Sequence, residues 1–176
     1  MKRVLFICGL LCCMFAFSLS AQAADRTLTA DDGNSLVLQQ SSKQDFFRYS
    51  NEDSPFAFDI PDLFTKAVSV DGNTFELSDA TGNCLFSAAS FKTVGRLTIG
   101  QYLKATREHL SVKPAYEKLG KNFFVLSWIE DGKIHYQKTY LNVDAACIIE
   151  FTYPADRKKE FDPLVTHSAN SLKFTW

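Results

Sequence analysis

The segment from residue 123 to residue 141 most strongly constrains the fold of this chain. Two runs, NFFVLSWIE and KIHYQKTYL, flank Asp131-Gly132, a dipeptide suited to a type I′ turn. A two-residue loop at that point pairs Glu130 with Lys133 across the two strands. Large apolar side chains then lie on both faces of the hairpin, so neither face can be left to solvent. We therefore expect a layered structure with cover on both sides of the sheet.

Further strands are predicted on both sides of this hairpin. The run FAFDIP has apolar residues at a period of two, and residues 73–79 and 84–91 form a second hairpin around the turn-forming ATGN. AACIIEFTYP, at 145–154, is a strand that ends at its proline. Phe64 is expected in a loop or short turn.

Two helices are predicted to supply the cover. Thr98 begins a capping box, and apolar residues then recur at helical spacing to about residue 110. A second helix lies near the C-terminus, with Asp156 or Asp162 as its cap and Pro163 in its first turn. The apolar stripe of that helix comprises Phe161, Leu164, Val165, Ser168 and Leu172. The predicted fold class is α+β: an antiparallel β-sheet flanked by helices on both faces, an α/β/α sandwich.

The N-terminus has the pattern of a secretory signal peptide. Lys2 and Arg3 precede an apolar run at 4–18, and Ala21-Gln22-Ala23 supplies the small residues of a cleavage site. The run is too short for a spanning helix of about 20 residues, so no membrane-spanning segment is expected once it is removed. We therefore predict that residues 1–23 are a signal peptide, cleaved near Ala23, and that the protein is periplasmic or secreted.

The remaining chain is predicted to hold one domain. Residues 24–34 are polar and rich in Asp and Gly, so residues 24–44 are expected to form a loose N-terminal arm with a possible short strand at 35–40. Residues 45–176 are expected to form the single domain. After cleavage the chain has 19 − 2 = 17 Lys and Arg against 20 Asp and Glu, a formal charge of about −3. This balance does not suit nucleic acid, which is not an expected partner.

The order of elements resembles the PsbP-like family. The segment FAFDIPDLF, the helix start TIGQYL, the hairpin NFFVLSW-DGK-HYQKTYL and the closing FDPLV and SLKF are similar to landmarks of that family, over roughly residues 45–174. The family includes the extrinsic lumenal subunit of photosystem II, a Ran-binding nuclear transport factor and exported bacterial proteins of unassigned role. The resemblance implies an antiparallel sheet between helices and a non-enzymatic accessory or binding role.

The sequence lacks the local motifs of common catalytic, cofactor and metal sites. The glycines lack the spacing and the lysine of a phosphate-binding loop, and G-x-S-x-G does not occur. His109, His135 and His167 have no ligand spacing between them, and we interpret them as a helix-end residue, a packing residue opposite Trp128 and a residue beside an apolar stripe. No catalytic, cofactor-binding or metal-binding residues are therefore predicted, and no cofactor.

Cys84 and Cys147 are the two cysteines that remain after cleavage. An oxidising compartment, an even count and two strand positions favour a disulfide between them. Two other interpretations stay open, because free cysteines are often buried as small apolar residues and a thiolate at Cys84 would be a nucleophile. The disulfide is the predicted pairing.

The functional prediction is an exported, non-enzymatic binding or accessory protein whose partner is another envelope or extracellular protein. The alternatives are an exported enzyme, hydrolytic or thiol-based, with a site assembled only in three dimensions, or a metal-binding protein. Aromatic residues could also form a ligand platform, although packing in the core is the favoured interpretation. The residues in question are Phe46, Phe47, Tyr49, Trp128 and Tyr136.

Overall fold

The computed structural model describes residues 24–93 and 97–175, which fold into two antiparallel sheets and two helices. The predicted signal peptide and Trp176 lie outside the described residues. The elements are β1 (Arg26–Thr29), β2 (Ser35–Gln40), β3 (Phe46–Ser50), β4 (Phe56–Pro61), β5 (Phe64–Asp71), β6 (Thr74–Asp79), β7 (Leu85–Lys92), α1 (Ile99–His109), β8 (Tyr116–Leu119), β9 (Phe123–Glu130), β10 (Lys133–Leu141), β11 (Ala145–Pro154), α2 (Lys158–Ser171) and β12 (Lys173–Phe174).

The smaller sheet has the spatial order β1-β2-β3-β4-β12, and the larger has the order β5-β6-β7-β11-β10-β9-β8. The predicted hairpin is β9-β10, and its register is confirmed, since Glu130 lies opposite Lys133 and Trp128 opposite His135. Asp131 has φ 50° and Gly132 has φ 74°, the positive values at both central positions that a type I′ turn needs.

The main core lies between the two sheets. Phe56, Phe58 and Ile60 of β4 meet apolar residues of β6, β7 and β11, and one side of α2 closes the same core. Phe86 of the larger sheet is at its centre, fully buried, with its ring centroid 4.8 Å from that of Phe151 in the same sheet and 6.0 Å from that of Phe58 in the smaller sheet. Packed aromatic rings therefore join the sheets.

The opposite face of the larger sheet carries a second, smaller core. Phe124, Leu126 and Trp128 of β9 pack there against Leu103 of α1. The predicted Thr98 capping box is present at the start of α1. The antiparallel α+β architecture is thus found, but the expectation of helices over both faces is met only in part. On the inner face of the larger sheet, the smaller sheet supplies most of the cover, together with α2.

The expected looseness of the N-terminal arm is wrong. Residues 26–29 and 35–40 form the hairpin β1-β2, which extends the smaller sheet. Leu28 and Leu38 are buried in the main core, at 7% and 1% exposure. Alternate residues of each strand point inward, so a segment of polar composition still contributes one apolar face.

Three further differences concern local elements. Phe64 begins the strand β5 rather than lying in a turn. The edge strand β8 has no counterpart among the predicted elements. The helix α2 starts at Lys158, after a 3₁₀ turn and without a side-chain cap, so Pro163 lies inside the helix instead of in its first turn.

Candidate functional site

The predicted disulfide between Cys84 and Cys147 is wrong in this fold. Cys147 lies opposite Ser90 in the β7-β11 ladder, while Cys84 precedes β7, six positions further along that chain. Six extended residues span about 20 Å, whereas the Cα atoms of a disulfide lie within about 7 Å of each other. Both thiols are free and fully buried.

The buried thiol of Cys84 is not poised as a nucleophile. Burial raises its pKa to about 11, and the nearby Asp79 carboxylate adds to this effect. Arg157 opposes it, with one guanidinium nitrogen 3.0 Å from Sγ, but does not restore an ordinary pKa. Cys84 is therefore a thiol at neutral pH, and burial likewise raises the pKa of Cys147.

The free state of both cysteines predicts the outcome of a thiol titration. We expect a protein of residues 24–176, unfolded in denaturant without reductant, to have two titratable thiols, and its melting temperature to be the same with and without reductant. Wild-type protein reduced before unfolding serves as the control for full labelling. Zero thiols, together with a lower melting temperature in reductant, would contradict the register of β7 and β11.

The three histidines lie at separate places. His109 ends α1, with Nδ1 2.7 Å from the Ala105 carbonyl oxygen, as expected for a helix-end residue. His167 of α2 lies beside the main core, with Nε2 2.8 Å from the buried carboxylate of Asp59. His135 stacks on Trp128 at 5.0 Å between ring centroids.

His135 has two polar neighbours on the outer face of the larger sheet. Its Nδ1 lies 3.1 Å from Oγ1 of Thr152 and 3.4 Å from a carboxylate oxygen of Glu150. Burial raises the pKa of Glu150, and the contact with His135 partly offsets that rise. His135–Glu150 and the closer pair His167–Asp59 are two separate histidine–carboxylate pairs, and His167 also lines a cleft of about 650 Å³ between the β2–β3 loop and α2.

The metal-binding and aromatic-platform alternatives depend on where their side chains lie. Within the described ranges, no group of three or more His, Cys, Asp or Glu side chains is arranged to hold a metal ion. Phe46, Tyr49 and Trp128 are buried, which confirms the interpretation that they pack in the core. Phe47 and Tyr136 are half-buried against the main core.

A largely apolar cleft lies at one end of the two sheets, with a volume of about 370 Å³. We call it the end cleft. On one side are Pro55, just before β4, and Phe174 of β12; on the other are Phe91 near the end of β7 and Ala145 at the start of β11. Val143, in the turn between β10 and β11, stands beside it. The walls are thus largely apolar.

Hydrogen bonds within the protein fix the polar groups of the end cleft. The Asn73 side-chain oxygen accepts bonds from the hydroxyl of Tyr49 at 3.3 Å and the amide of Asn51 at 3.1 Å. The hydroxyl of Ser54 donates to that of Ser90 at 3.1 Å. Because these groups already have partners, the cleft is preformed for an apolar occupant.

The rim of the end cleft combines exposed apolar side chains with charges. Val143 is 85% exposed, although it is a large apolar residue. Asp53, Asp144 and Lys92 provide charges of both signs around it. Apolar residues in a polar rim are typical of a surface that binds another molecule.

Sequence reasoning missed the end cleft, since its residues come from five separate segments. A weak signal was present at Val143, an apolar residue between Asn142 and Asp144 in a turn, where polar residues are usual. The assembly of Pro55, Phe91 and Phe174 depends on the two-sheet packing.

The architecture is that of an α+β protein with two packed antiparallel sheets and a preformed apolar cleft at one end. CyanoP, the cyanobacterial PsbP of Synechocystis, is similar to it with a TM-score of 0.57 and 12% identity, over 77% of this chain and 96% of that one. This likeness shows the fold, and the chain therefore has a PsbP-like fold, as the resemblance in its sequence implied.

Two other solved structures are similar at lower scores. A protein of Bacteroides thetaiotaomicron matches with 17% identity and a TM-score of 0.46, over 72% of this chain and 47% of that one. LpqN of Mycobacterium tuberculosis, described as involved in cell envelope biogenesis, matches with 12% identity and a TM-score of 0.37, over 86% of this chain and 91% of that one. No protein-family profile and no curated protein matches the sequence.

Proposed function

We propose that this chain is an exported, non-enzymatic accessory protein that binds another protein of the cell envelope or extracellular space through the end cleft. The observation that carries the proposal is the 85% exposure of Val143 beside an apolar cavity. The predicted signal peptide supports the compartment. In the described ranges, no helix has both the length and the apolar character needed to cross a membrane.

The shape and chemistry of the end cleft support binding to a protein. A volume of about 370 Å³ accommodates one or two apolar side chains of a partner. Such anchors, inserted into a preformed pocket and ringed by polar contacts, provide most of the affinity of many interfaces. Asp53, Asp144 and Lys92 would supply the polar ring.

At the end cleft, the titratable side chains favour binding over catalysis. None of the three histidines lines the end cleft, and neither does Cys84 or Cys147. The carboxylates of Asp53 and Asp144 and the ammonium of Lys92 belong to its rim. An enzyme would need an acid, base or nucleophile directed at a bound substrate.

The proposal is tested with Val143→Asp. Because Val143 is exposed, this variant should melt like the wild type, yet a carboxylate facing an apolar partner should cost about 2 kcal/mol or more of binding energy. Capture of a partner from solubilised native envelope by immobilised protein, quantified against protein concentration, should therefore weaken by roughly thirtyfold or more.

Val68→Asp is the matched control, since Val68 is 49% exposed on β5 and does not line the end cleft. It should capture the same partner as the wild type. If both variants capture equally well, the partner binds elsewhere and the end cleft is not the site.

A further inference from the structure

Two lysines lie side by side on the inner face of the larger sheet, near its β8 edge, where Lys118 is exposed and Lys138 is covered by α2. Lys118 of β8 is opposite Val125 of β9, and Val125 is opposite Lys138 of β10. Residues that lie opposite each other in antiparallel strands point to the same face, so both lysines share it. Tyr116 and Tyr136 form the next row, on either side of Ser127.

Both ammonium groups lie over the same aromatic ring, that of Phe123. Nζ of Lys138 is 4.9 Å from the ring centroid of Phe123, and Nζ of Lys118 is 5.8 Å from the same centroid. Gly120 makes room for that ring, because a Cβ atom there would lie 2.3 Å from Cε1 of Phe123. We call the surface formed by Lys118, Lys138, Phe123, Tyr116 and Tyr136 the lysine shelf.

The charges of the lysine shelf are not balanced locally. Among the described residues, no carboxylate lies within 4 Å of either ammonium, although the chain as a whole is acidic. Lys138 is only 8% exposed, and burial together with the nearby Lys118 lowers its pKa. Two like charges held together without a counter-ion favour a bound anion.

The position of the Lys138 ammonium has a structural explanation. Nζ of Lys138 donates to the carbonyl oxygen of Ala169 near the C-terminal end of α2, where a cation is favourable. That bond uses one of the three ammonium donors of Lys138 and does not involve Lys118. The helix end therefore accounts for the position of Lys138, but not for the second lysine beside it.

From this geometry we infer that the lysine shelf is a second binding site, for an oxyanion carried on an apolar or aromatic body. Lys118 and Lys138 would bind a carboxylate or phosphate group by charge-assisted hydrogen bonds. Burial and the neighbouring Tyr116 raise the pKa of Tyr136 to about 12, so its phenol adds no negative charge that would repel the anion. Tyr116, 51% exposed, provides an apolar flank for the body of the ligand. This inference does not depend on the end cleft.

The test is a titration of ¹⁵N-labelled protein followed by amide chemical shifts, with benzoate, phenyl phosphate and the neutral benzamide as probes. We expect saturable shifts from at least one anion at residues 116–118, 125–127 and 136–138, and none from benzamide. Tighter binding of benzoate would assign a carboxylate ligand, and tighter binding of phenyl phosphate would assign a phosphate. Either result supports the site.

Lys118→Gln should weaken the binding of the anion about tenfold, by removing one charge-assisted contact. Lys118 is exposed, so this variant should keep the fold even if a substitution of the buried Lys138 does not. Lys104→Gln, on α1, is the matched control and should bind like the wild type. Equal binding of benzamide, the absence of saturable shifts, or equal weakening by Lys104→Gln would overturn the inference.

Discussion

Phe86→Ala is expected to lower the free energy of unfolding by about 3 to 5 kcal/mol. The Phe86 ring is fully buried, and ring centroids of Phe58, Phe64, Phe75 and Phe151 lie 4.8 to 6.2 Å away. Removing it leaves a cavity between the two sheets and eliminates the aromatic contacts that join them. Since domains of this size are stable by about 5 to 15 kcal/mol, the loss should be a large share of the total.

The measurement is urea unfolding followed by circular dichroism, with Phe91→Ala as the matched control. Phe91 is on the same strand, but its side chain points to the opposite face and is 40% exposed. The control should lose much less stability than Phe86→Ala. Similar losses for the two variants would mean that the core is not at Phe86.

Leu38→Ala is expected to cost about 2 to 5 kcal/mol, because the N-terminal hairpin β1-β2 is part of the main core. The Leu38 side chain is 1% exposed and packs within that core. This is a strong prediction for a segment of such polar composition. The same unfolding measurement tests it.

The neighbouring residue provides the control for this second variant. Val37 is on the same strand, points to the other face and is 55% exposed, so Val37→Ala should change the free energy of unfolding by no more than about 0.5 kcal/mol. If Leu38→Ala is as mild as Val37→Ala, the arm is loose after all and β1-β2 does not dock.

Local signals in the sequence were sufficient for several elements. Asp131-Gly132 fixed the turn and hence the register of β9-β10, since a two-residue loop leaves only one pairing. Thr98 and the apolar spacing after it placed α1 correctly. In each case the determining residues are within a few positions of one another.

The two edge strands of the larger sheet, β5 and β8, were harder to predict, because neither shows a clean alternation of buried and exposed residues. In β5 two irregularities, between Phe64 and Lys66 and between Ala67 and Ser69, interrupt the period of two. Strand β8 is a four-residue edge strand whose side chains are all exposed, so it has no buried face to reveal it. The N-terminal arm was predicted to be loose because it has few apolar residues.

The separation of the two cysteines and the assembly of the end cleft both depend on which strands lie side by side in the fold. Each cysteine was correctly placed next to or within a strand core, but sequence does not state which residues face each other. The register places Cys147 opposite Ser90, far from Cys84. Likewise, Val143 and Phe174 are 31 positions apart, and only the packing of β12 beside β4 brings them to one cleft.

The central claim, that the end cleft binds a protein partner in the envelope, is tested most directly in living cells. A photo-activatable cross-linking residue at position 143 and, separately, at position 68 would be compared after irradiation. We expect a discrete adduct of one defined mass from position 143 and no such adduct from position 68, since only Val143 borders the cleft. No adduct at 143, or the same adduct at both positions, would contradict the account.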